Sequence, residues 1–473
     1  MKQKLKIICI IGIVIVVSTV GNYTLIEFDP QKNTTVKNNI REDEVCAIDK
    51  KYLEFYGITT FTSNLPVIMI DTGDKNIIKE HEIWGTVGVI DGKEKQNSIV
   101  DRKYDALLAC TVKLRGASSY SGFDKPQFRL KLYRKENGKK YDYSLCGLDA
   151  DSEWVLNGPF LDKTAVRNSL IYHIAQGMNI WSPNTAYAEV FVNGEYQGLY
   201  VATEPVTETY SRLGLSDYAM SYGETAYILK RDRIGTESNV IETWGTKNGN
   251  VSNELSVSYP SKDKLTLRQK NWIKDDISKF EEVLYSEGFD NEENGYAKYI
   301  DVDSFVDYYI INEVVLNYDA GFLSTYAYKD LNGKLKMAIW DYNNSYDNYQ
   351  WSEKKSDKFY LNSEGSWFNR LLQDKNFVTK VVERYKALRK EKMNIEFMYS
   401  YIDQQEILIQ NALDRNDKVW GYSYTISLLT NTEDRERDYA TREEAISQLK
   451  EIIQKRFLFL DEHIMDLYQG CIN

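Results

Sequence analysis

Two carboxylates, Asp319 and Asp341, stand on either side of a short two-strand unit in NYDAGFLSTYAYKDLNGKLKMAIWDYNNSYDN, residues 317–348. Asp319 is expected in a loop where a helix ends near Asn317. A strand over 324–329, a turn over 330–333 and a strand over 334–340 follow, and Asp341 sits at the exit of the second strand. An antiparallel pair returns the chain on itself, so both acids can face one cleft. That arrangement suits phosphoryl transfer: one acid orients or deprotonates an acceptor hydroxyl, and the other holds a divalent cation on the phosphates. Moving so highly charged a group needs positioning and charge neutralisation more than covalent help. Asp is also a common cap and turn residue, and by itself the pair fits a structural role better.

Other chemistries find little support. The chain has three histidines, His81, His173 and His463, with no paired zinc-ligand spacing. None accompanies a nucleophile-elbow motif, which leaves a Ser-His-Asp hydrolase without its base. The five cysteines, Cys9, Cys46, Cys110, Cys146 and Cys471, contain no CxxC, so a zinc ribbon is excluded, while one or two disulfides remain open. A net charge of −11 argues against non-specific nucleic-acid binding. Such acidity suits a basic protein partner as well as plain solubility. A glycosidase with paired carboxylates would suit the 13% aromatic content but explains no motif.

The positioning elements fall in a simple order. Lys2, Lys4 and Lys6 precede an uncharged run over residues 7–26. Residues 1–27 therefore read as a signal-anchor or signal peptide, with the N-terminus cytoplasmic and the remainder exported. Residues 28–50 read as a polar tether. Residues 51–150 are strand-rich: LPVIMI, IWGTVGVI, ALLACTVKL and PQFRLKLYRK, with Phe128, Leu130 and Leu132 alternating against Arg129, Lys131 and Tyr133. Residues 151–470 are mixed to helical. A helix is expected over 163–178, a hairpin about Asn193-Gly194, an amphipathic helix through Ile273, Ile277, Phe280 and Leu284, and another over 302–317. Thr441 to Glu444 has the spacing of a capping box. With 42% hydrophobic residues and only 7 Pro, the chain can bury a large core. The predicted class is α+β, with a strand-rich N-terminal lobe and a helix-rich C-terminal lobe.

Candidates for phosphate binding lie mostly in the strand-rich part. Arg115-Gly116-Ala117-Ser118-Ser119 follows a strand, where backbone N–H groups and the Arg115 and Ser118 side chains could cradle phosphate. Lys131 or Lys125 could reach the inner phosphates, with Glu204 orienting that lysine as an ion pair. Lys163 and Arg167, at i and i+4 on a helix, could reach the same anions. Trp340 could line a base pocket. For the basic residues a solvated strand face is the competing reading.

Several segments together resemble the CotH kinase family. LRGASSYSGFDKPQFRLKL (114–132) is similar to its strand–loop–strand with a Lys-Pro step, and WVLNGPFLDKTAVRNSL (154–170) to its Trp…Asp-Lys-Thr…Arg-Asn stretch. VFVNGEYQGLYVATEPV (190–206) resembles the Asn-Gly-Glu-Tyr-x-Gly-x-Tyr…Glu signature. The helix–Asp–hairpin–Trp-Asp region and SWFNRLL (366–372) complete five ordered motifs over about residues 62–430. The HRD and DFG sequences of ordinary protein kinases are absent. The resemblance implies an atypical protein-kinase-like fold, ATP with Mg²⁺ or Mn²⁺, and phosphorylation of serine in cell-envelope or spore-coat proteins. It implies Asp319 as the catalytic acid and Asp341 as a metal ligand. The family pattern Trp-Asp-Phe-Asp is here Trp340-Asp341-Tyr342-Asn343, so Asn343 offers a metal an amide oxygen without charge. A catalytically weak or inactive scaffold of the spore coat or cell surface is the alternative reading.

Overall fold

A computed structural model describes residues 61–472, apart from 74, 93–95, 100–103, 136, 218, 236–237, 349–354, 363 and 430–436. The expected leader (1–27) and tether (28–50), with Cys9 and Cys46, lie outside the described residues. No helix among the described residues is long and apolar enough to cross a membrane. Cys110, Cys146 and Cys471 are free thiols.

Short runs rich in apolar residues, with period-two alternation clearest over 128–133, fold into strands: β1 (Thr62–Ser63), β2 (Val67–Asp71), β3 (Ile83–Ile90), β4 (Asn97–Ser98), β5 (Ala106–Leu114), β6 (Phe128–Tyr133), β7 (Glu153–Asn157), β8 (Thr185–Val192) and β9 (Glu195–Thr203). Seven of them close a barrel in the order β2-β3-β5-β6-β7-β9-β8. All pairs are antiparallel except β2–β8, whose parallel ladder makes the closure. Alternation explains the filling: Leu130 and Leu132 point inward with Val87, Val112, Trp154, Val190 and Tyr200, as expected for a barrel just wide enough to be packed by side chains. Asn193 and Gly194 both take positive φ (48° and 82°), the turn that joins β8 to β9. The barrel therefore runs on to Thr203, beyond residue 150, because β7, β8 and β9 supply its last three staves.

A second, five-stranded antiparallel sheet has the order β11-β12-β10-β13-β14. It comprises β10 (Tyr227–Arg231), β11 (Val240–Ile241), β12 (Leu255–Tyr259), β13 (Thr325–Lys329) and β14 (Lys336–Ala338). The helices are α1 (Ser118–Gly122), α2 (Arg167–Ala175), α3 (Trp244–Lys247), α4 (Leu267–Leu284), α5 (Val302–Val314), α6 (Trp367–Leu371), α7 (Lys375–Arg389), α8 (Ile395–Trp420) and α9 (Arg442–His463). Helix α2 is shorter than the expected 163–178. Asp162 Oδ1 accepts from the Thr164 hydroxyl (2.6 Å) and Asp162 Oδ2 from the Arg167 N–H (3.0 Å), holding Ala165 at φ +59° ahead of the first turn. Thr441 does cap α9 by accepting from the Glu444 N–H. The Glu444 carboxylate, however, takes the Ala440 N–H, and the reciprocal box forms instead at Thr266 and Gln269.

The class is α+β, and the barrel and the helix-covered sheet have separate apolar cores. The expected division into two lobes is not confirmed: the described residues fall in one compact unit. Helix α8 supplies one reason. Lys125 is fully buried, and its Nζ donates to Leu199 O (2.7 Å) and Asn416 Oδ1 (2.7 Å). Trp420 Nε1 donates to Gln197 O, and Arg415 Nε donates to the buried Glu189 carboxylate (2.9 Å). Such closeness needs Gly198, whose φ is +96° and whose Cβ, were there one, would lie 2.4 Å from Asn416 Oδ1.

Gly198→Ala is expected to lower stability by about 2 kcal/mol or more, through both the backbone conformation and the clash with α8. Gly235→Ala, whose Cβ would meet nothing within 4 Å, should stay within about 0.5 kcal/mol. Urea unfolding midpoints measure both, and equal midpoints would remove the close approach of α8 from the account.

Candidate active site

Helix α5 ends beside the loop that carries Asp319, and two asparagines fix that loop. Asn317 Nδ2 donates to Asn312 Oδ1 (2.8 Å), and the Asp319 N–H donates to Asn317 Oδ1 (3.2 Å). The same Asn312 Oδ1 accepts from the Tyr342 hydroxyl (3.0 Å). One buried amide therefore ties the Asp319 loop to the residue after Asp341. Thr325 Oγ1 accepts the Gly321 N–H (2.9 Å), closing the loop onto the start of β13.

Helix α2 is the shelf for the other acid. The Asp341 N–H donates to the Tyr172 hydroxyl (3.0 Å), the Tyr342 N–H to Asn168 Oδ1 (2.8 Å), and Arg167 Nε to Ser345 O (3.2 Å). Asp341 itself has φ +69°, a left-handed conformation that costs a non-glycine residue about 1–2 kcal/mol. These three side chains of α2 hold it there, and its carboxylate opens to the cleft.

That cleft encloses about 460 Å³ and brings together Asp319, Asp341, Asn343, Arg115, Ser118 and Trp340. Six of the residues singled out in the sequence thus share one cavity. Arg115 donates to Asn157 Oδ1 (2.9 Å), and its guanidinium lies 5.4 Å from the centre of the Trp340 ring. Asn344 Nδ2 donates to Asp319 Oδ2 (3.2 Å).

Five of the expected phosphate ligands lie elsewhere. Lys125 is the buried tie to α8 described above. Lys131 pairs with Glu82 (2.5 Å) on the outer face of the barrel. Its strand-mate Arg129, two residues earlier, lines the cleft and pairs with Glu153. Glu204 is buried on Arg212 (3.1 Å) and the Asn184 N–H, so no Lys–Glu204 pair forms. Lys163 donates to Tyr439 O (2.8 Å), and Arg167 pairs with Asp162 (2.6 Å). Alternation told which strand positions face outward, but not which of them border the cleft.

The sequence reading also missed Lys113, Lys230, Asp232, Arg233 and Asn344, all of which line the cleft. Lys230 pairs with Asp232 (2.6 Å) at the end of β10, a strand that carries no motif. Only its adjacency to β13 brings it to the site.

The electrostatics favour proton and cation chemistry. Burial pushes the Asp319 carboxyl above the ordinary carboxylate range; the Asn344 hydrogen bond pulls it down, and the charge on Asp341 adds to the rise. Asp341 opens to the cleft, yet the surrounding protein pushes it up too, with Arg115 and Lys230 opposing and Asp232 reinforcing. Among the described residues no group of three or more His, Cys, Asp or Glu side chains suits a metal ion. A magnesium ion needs no such cage, since one or two protein oxygens and substrate phosphates suffice. Asp341 fits that role: its carboxylate meets only a long contact from Ser324 Oγ (3.4 Å). Asn343 beside it donates to Asn344 through Nδ2, which leaves its Oδ1 for a cation.

A family model described as CotH kinase protein matches residues 112–460. No curated protein matches the chain.

Because both carboxyls titrate higher in the folded chain, the folded state holds more protons than the unfolded one above the ordinary carboxylate pKa. Their stabilisation is complete below that range and is lost as pH rises through the folded-state pKa. Asp341→Asn is therefore expected to raise the unfolding temperature of the metal-free protein at neutral pH. It should also flatten the decline in that temperature above about pH 4. A pH slope identical to that of the parent in thermal melts would contradict this.

Proposed function

The chain belongs to the CotH kinase family, and on that premise we propose that it is an ATP- and Mg²⁺-dependent kinase acting on serine hydroxyls of cell-envelope or spore-coat proteins. The observation that carries this reading is that Asp319 and Asp341 line one cleft together with Arg115 and Trp340. An N-terminal signal-anchor, or a cleaved leader, would deliver the enzyme outside the cytoplasm.

Asp319 would receive the acceptor's proton. Asn344 occupies its Oδ2, leaving Oδ1 for a serine hydroxyl, and its raised pKa makes it a better proton acceptor than a solvated aspartate. Asp341 and the Asn343 amide oxygen would hold Mg²⁺ or Mn²⁺. A bound cation supplies charge neutralisation across the phosphates. Arg115 faces the cleft from the barrel side and would add a second positive charge on the nucleotide, while the Trp340 ring beneath it offers a stacking surface for the base. The hydroxyl oxygen attacks the γ-phosphorus, the bond to the β–γ bridging oxygen breaks, ADP departs, and the proton rests on Asp319. An acceptor rich in serine and basic residues would suit the chain's acidic balance, −11 overall.

One observation favours a second reading, a catalytically weak or inactive scaffold. Asn343 brings no charge to a position where the family pattern has an acid, and a hard divalent cation is held more weakly by a neutral amide.

Transfer of γ-phosphate from MgATP to a serine-rich basic peptide distinguishes the two. The wild type should transfer phosphate, and Asp319→Ala should lose about 100-fold or more in rate, in keeping with general-base contributions. Equal rates would remove Asp319 from the chemistry. A saturating 100-fold excess of MgATP over its Kd should stabilise the fold by about 2.7 kcal/mol. A thermal shift without transfer would leave the scaffold.

A further inference from the structure

The end of β10 reads Lys230-Arg231-Asp232-Arg233, and each of its four side chains is placed by the site. Lys230 Nζ is held by Asp232 Oδ2 at 2.6 Å. Arg233 Nη1 reaches across the cleft from the second sheet and donates to Ser118 Oγ (3.2 Å) at the start of α1. Arg231 between them is buried and donates through Nη1 to Gly321 O (3.1 Å), two residues beyond Asp319, with its guanidinium 4.7 Å from the Trp367 ring centre. Pairing of Arg231 with Thr325 in the β10–β13 ladder keeps this strand end in register with the Asp319 loop. The segment is therefore clamped to that loop from below, while its two cations stay at the cleft.

Their side of the cleft matters. Arg115 faces the cavity from the barrel, whereas Lys230 and Arg233 come from the sheet that carries Asp319 and Asp341. In an in-line transfer the terminal phosphate is the one nearest the acceptor hydroxyl, and so nearest Asp319. Both side chains line the same cavity as the two acids. The Arg233 contact is one that a phosphate would better. Ser118 offers Arg233 a neutral hydroxyl, and a phosphoryl oxygen is a stronger, charged acceptor.

We propose that Lys230 and Arg233 form a clamp for the γ-phosphate, taking it by exchange of their present partners Asp232 and Ser118. This rests on the nucleotide reading above. On binding, Arg233 leaves Ser118 Oγ and Lys230 leaves Asp232, and both donate N–H groups to non-bridging oxygens of the terminal phosphate. No covalent bond of either side chain changes. As charge redistributes over those oxygens during transfer, the two donors stabilise it in place. Inner phosphates stay with Arg115, so ADP keeps its contacts and loses the clamp.

Calorimetric titration of the full chain with MgATP and, separately, MgADP tests the assignment, alongside rates of phosphate transfer. Arg233→Ala and Lys230→Met should each weaken MgATP binding about 10-fold while leaving MgADP within about 2-fold. Each should also cut kcat about 100-fold, the scale for losing one preorganised donor. Arg233→Lys should recover part of the ATP preference. Unfolding midpoints near that of the parent identify variants that fold normally. If MgATP and MgADP weaken together, or neither changes, the clamp is overturned while nucleotide binding stands. A wild-type chain that binds neither nucleotide overturns the nucleotide reading, and the clamp with it.

Discussion

Asn312 Oδ1 accepts two hydrogen bonds, from the Asn317 amide and from the Tyr342 hydroxyl, and the geometry of the candidate site hangs on that node. The first bond holds the loop that leads to Asp319; the second holds the residue that follows Asp341. Asn312 donates in turn to Tyr308 O within its own helix, so its amide cannot rotate to serve one side at the expense of the other. In a buried setting every partner must be met, because an orphaned amide or hydroxyl costs about 1–3 kcal/mol. Two acids from opposite ends of a hairpin are thereby set against one helix and not merely against each other.

Helix α2 completes the constraint from the opposite side. Tyr172 and Asn168 receive consecutive backbone N–H groups, those of Asp341 and Tyr342, just where β14 ends and the chain turns into a left-handed conformation. A strained residue persists when its surroundings over-determine it, and here they do. Arg167 reaches along the same shelf to Ser345 O. Its burial and its partner Asp162 make it part of the mount and not of the cleft lining.

Much of this could be read from the chain alone, and the failures have a common cause. Strands β2, β3 and β5 follow from short apolar runs and β6 from alternation, the Asn193-Gly194 turn from its dipeptide, and the Asp319–hairpin–Asp341 unit from the order of helix, loop and strands. These are local signals. Closure of the barrel by β2 and β8 depends on residues more than a hundred positions apart, and no periodicity reports such a pairing. Lys131 and Arg129 look alike in sequence because both point out of β6; which one meets the cleft depends on the elements beside that strand. Lys125 is the clearest case. A lysine before a proline reads as solvent-exposed, yet α8, arriving from almost three hundred residues later, covers it and supplies Asn416 as its partner. Lys230 and Arg233 escaped notice for the same reason, since β10 becomes part of the site only by lying next to β13.

The way the barrel and the five-stranded sheet finish bears on how another polypeptide can be held. The barrel, closed on itself, has no unpaired margin. In the five-stranded sheet the outermost members are two and three residues long. β14 is further covered by bridges from Trp181 to Ala338 and from Ile300 to Leu335. Short and covered margins of this kind deny a visiting chain the row of free N–H and C=O groups on which it could add itself as a further strand. A polypeptide acceptor of the proposed kinase would accordingly be gripped through its side chains and its charge, which leaves recognition open to composition instead of to an extended backbone register.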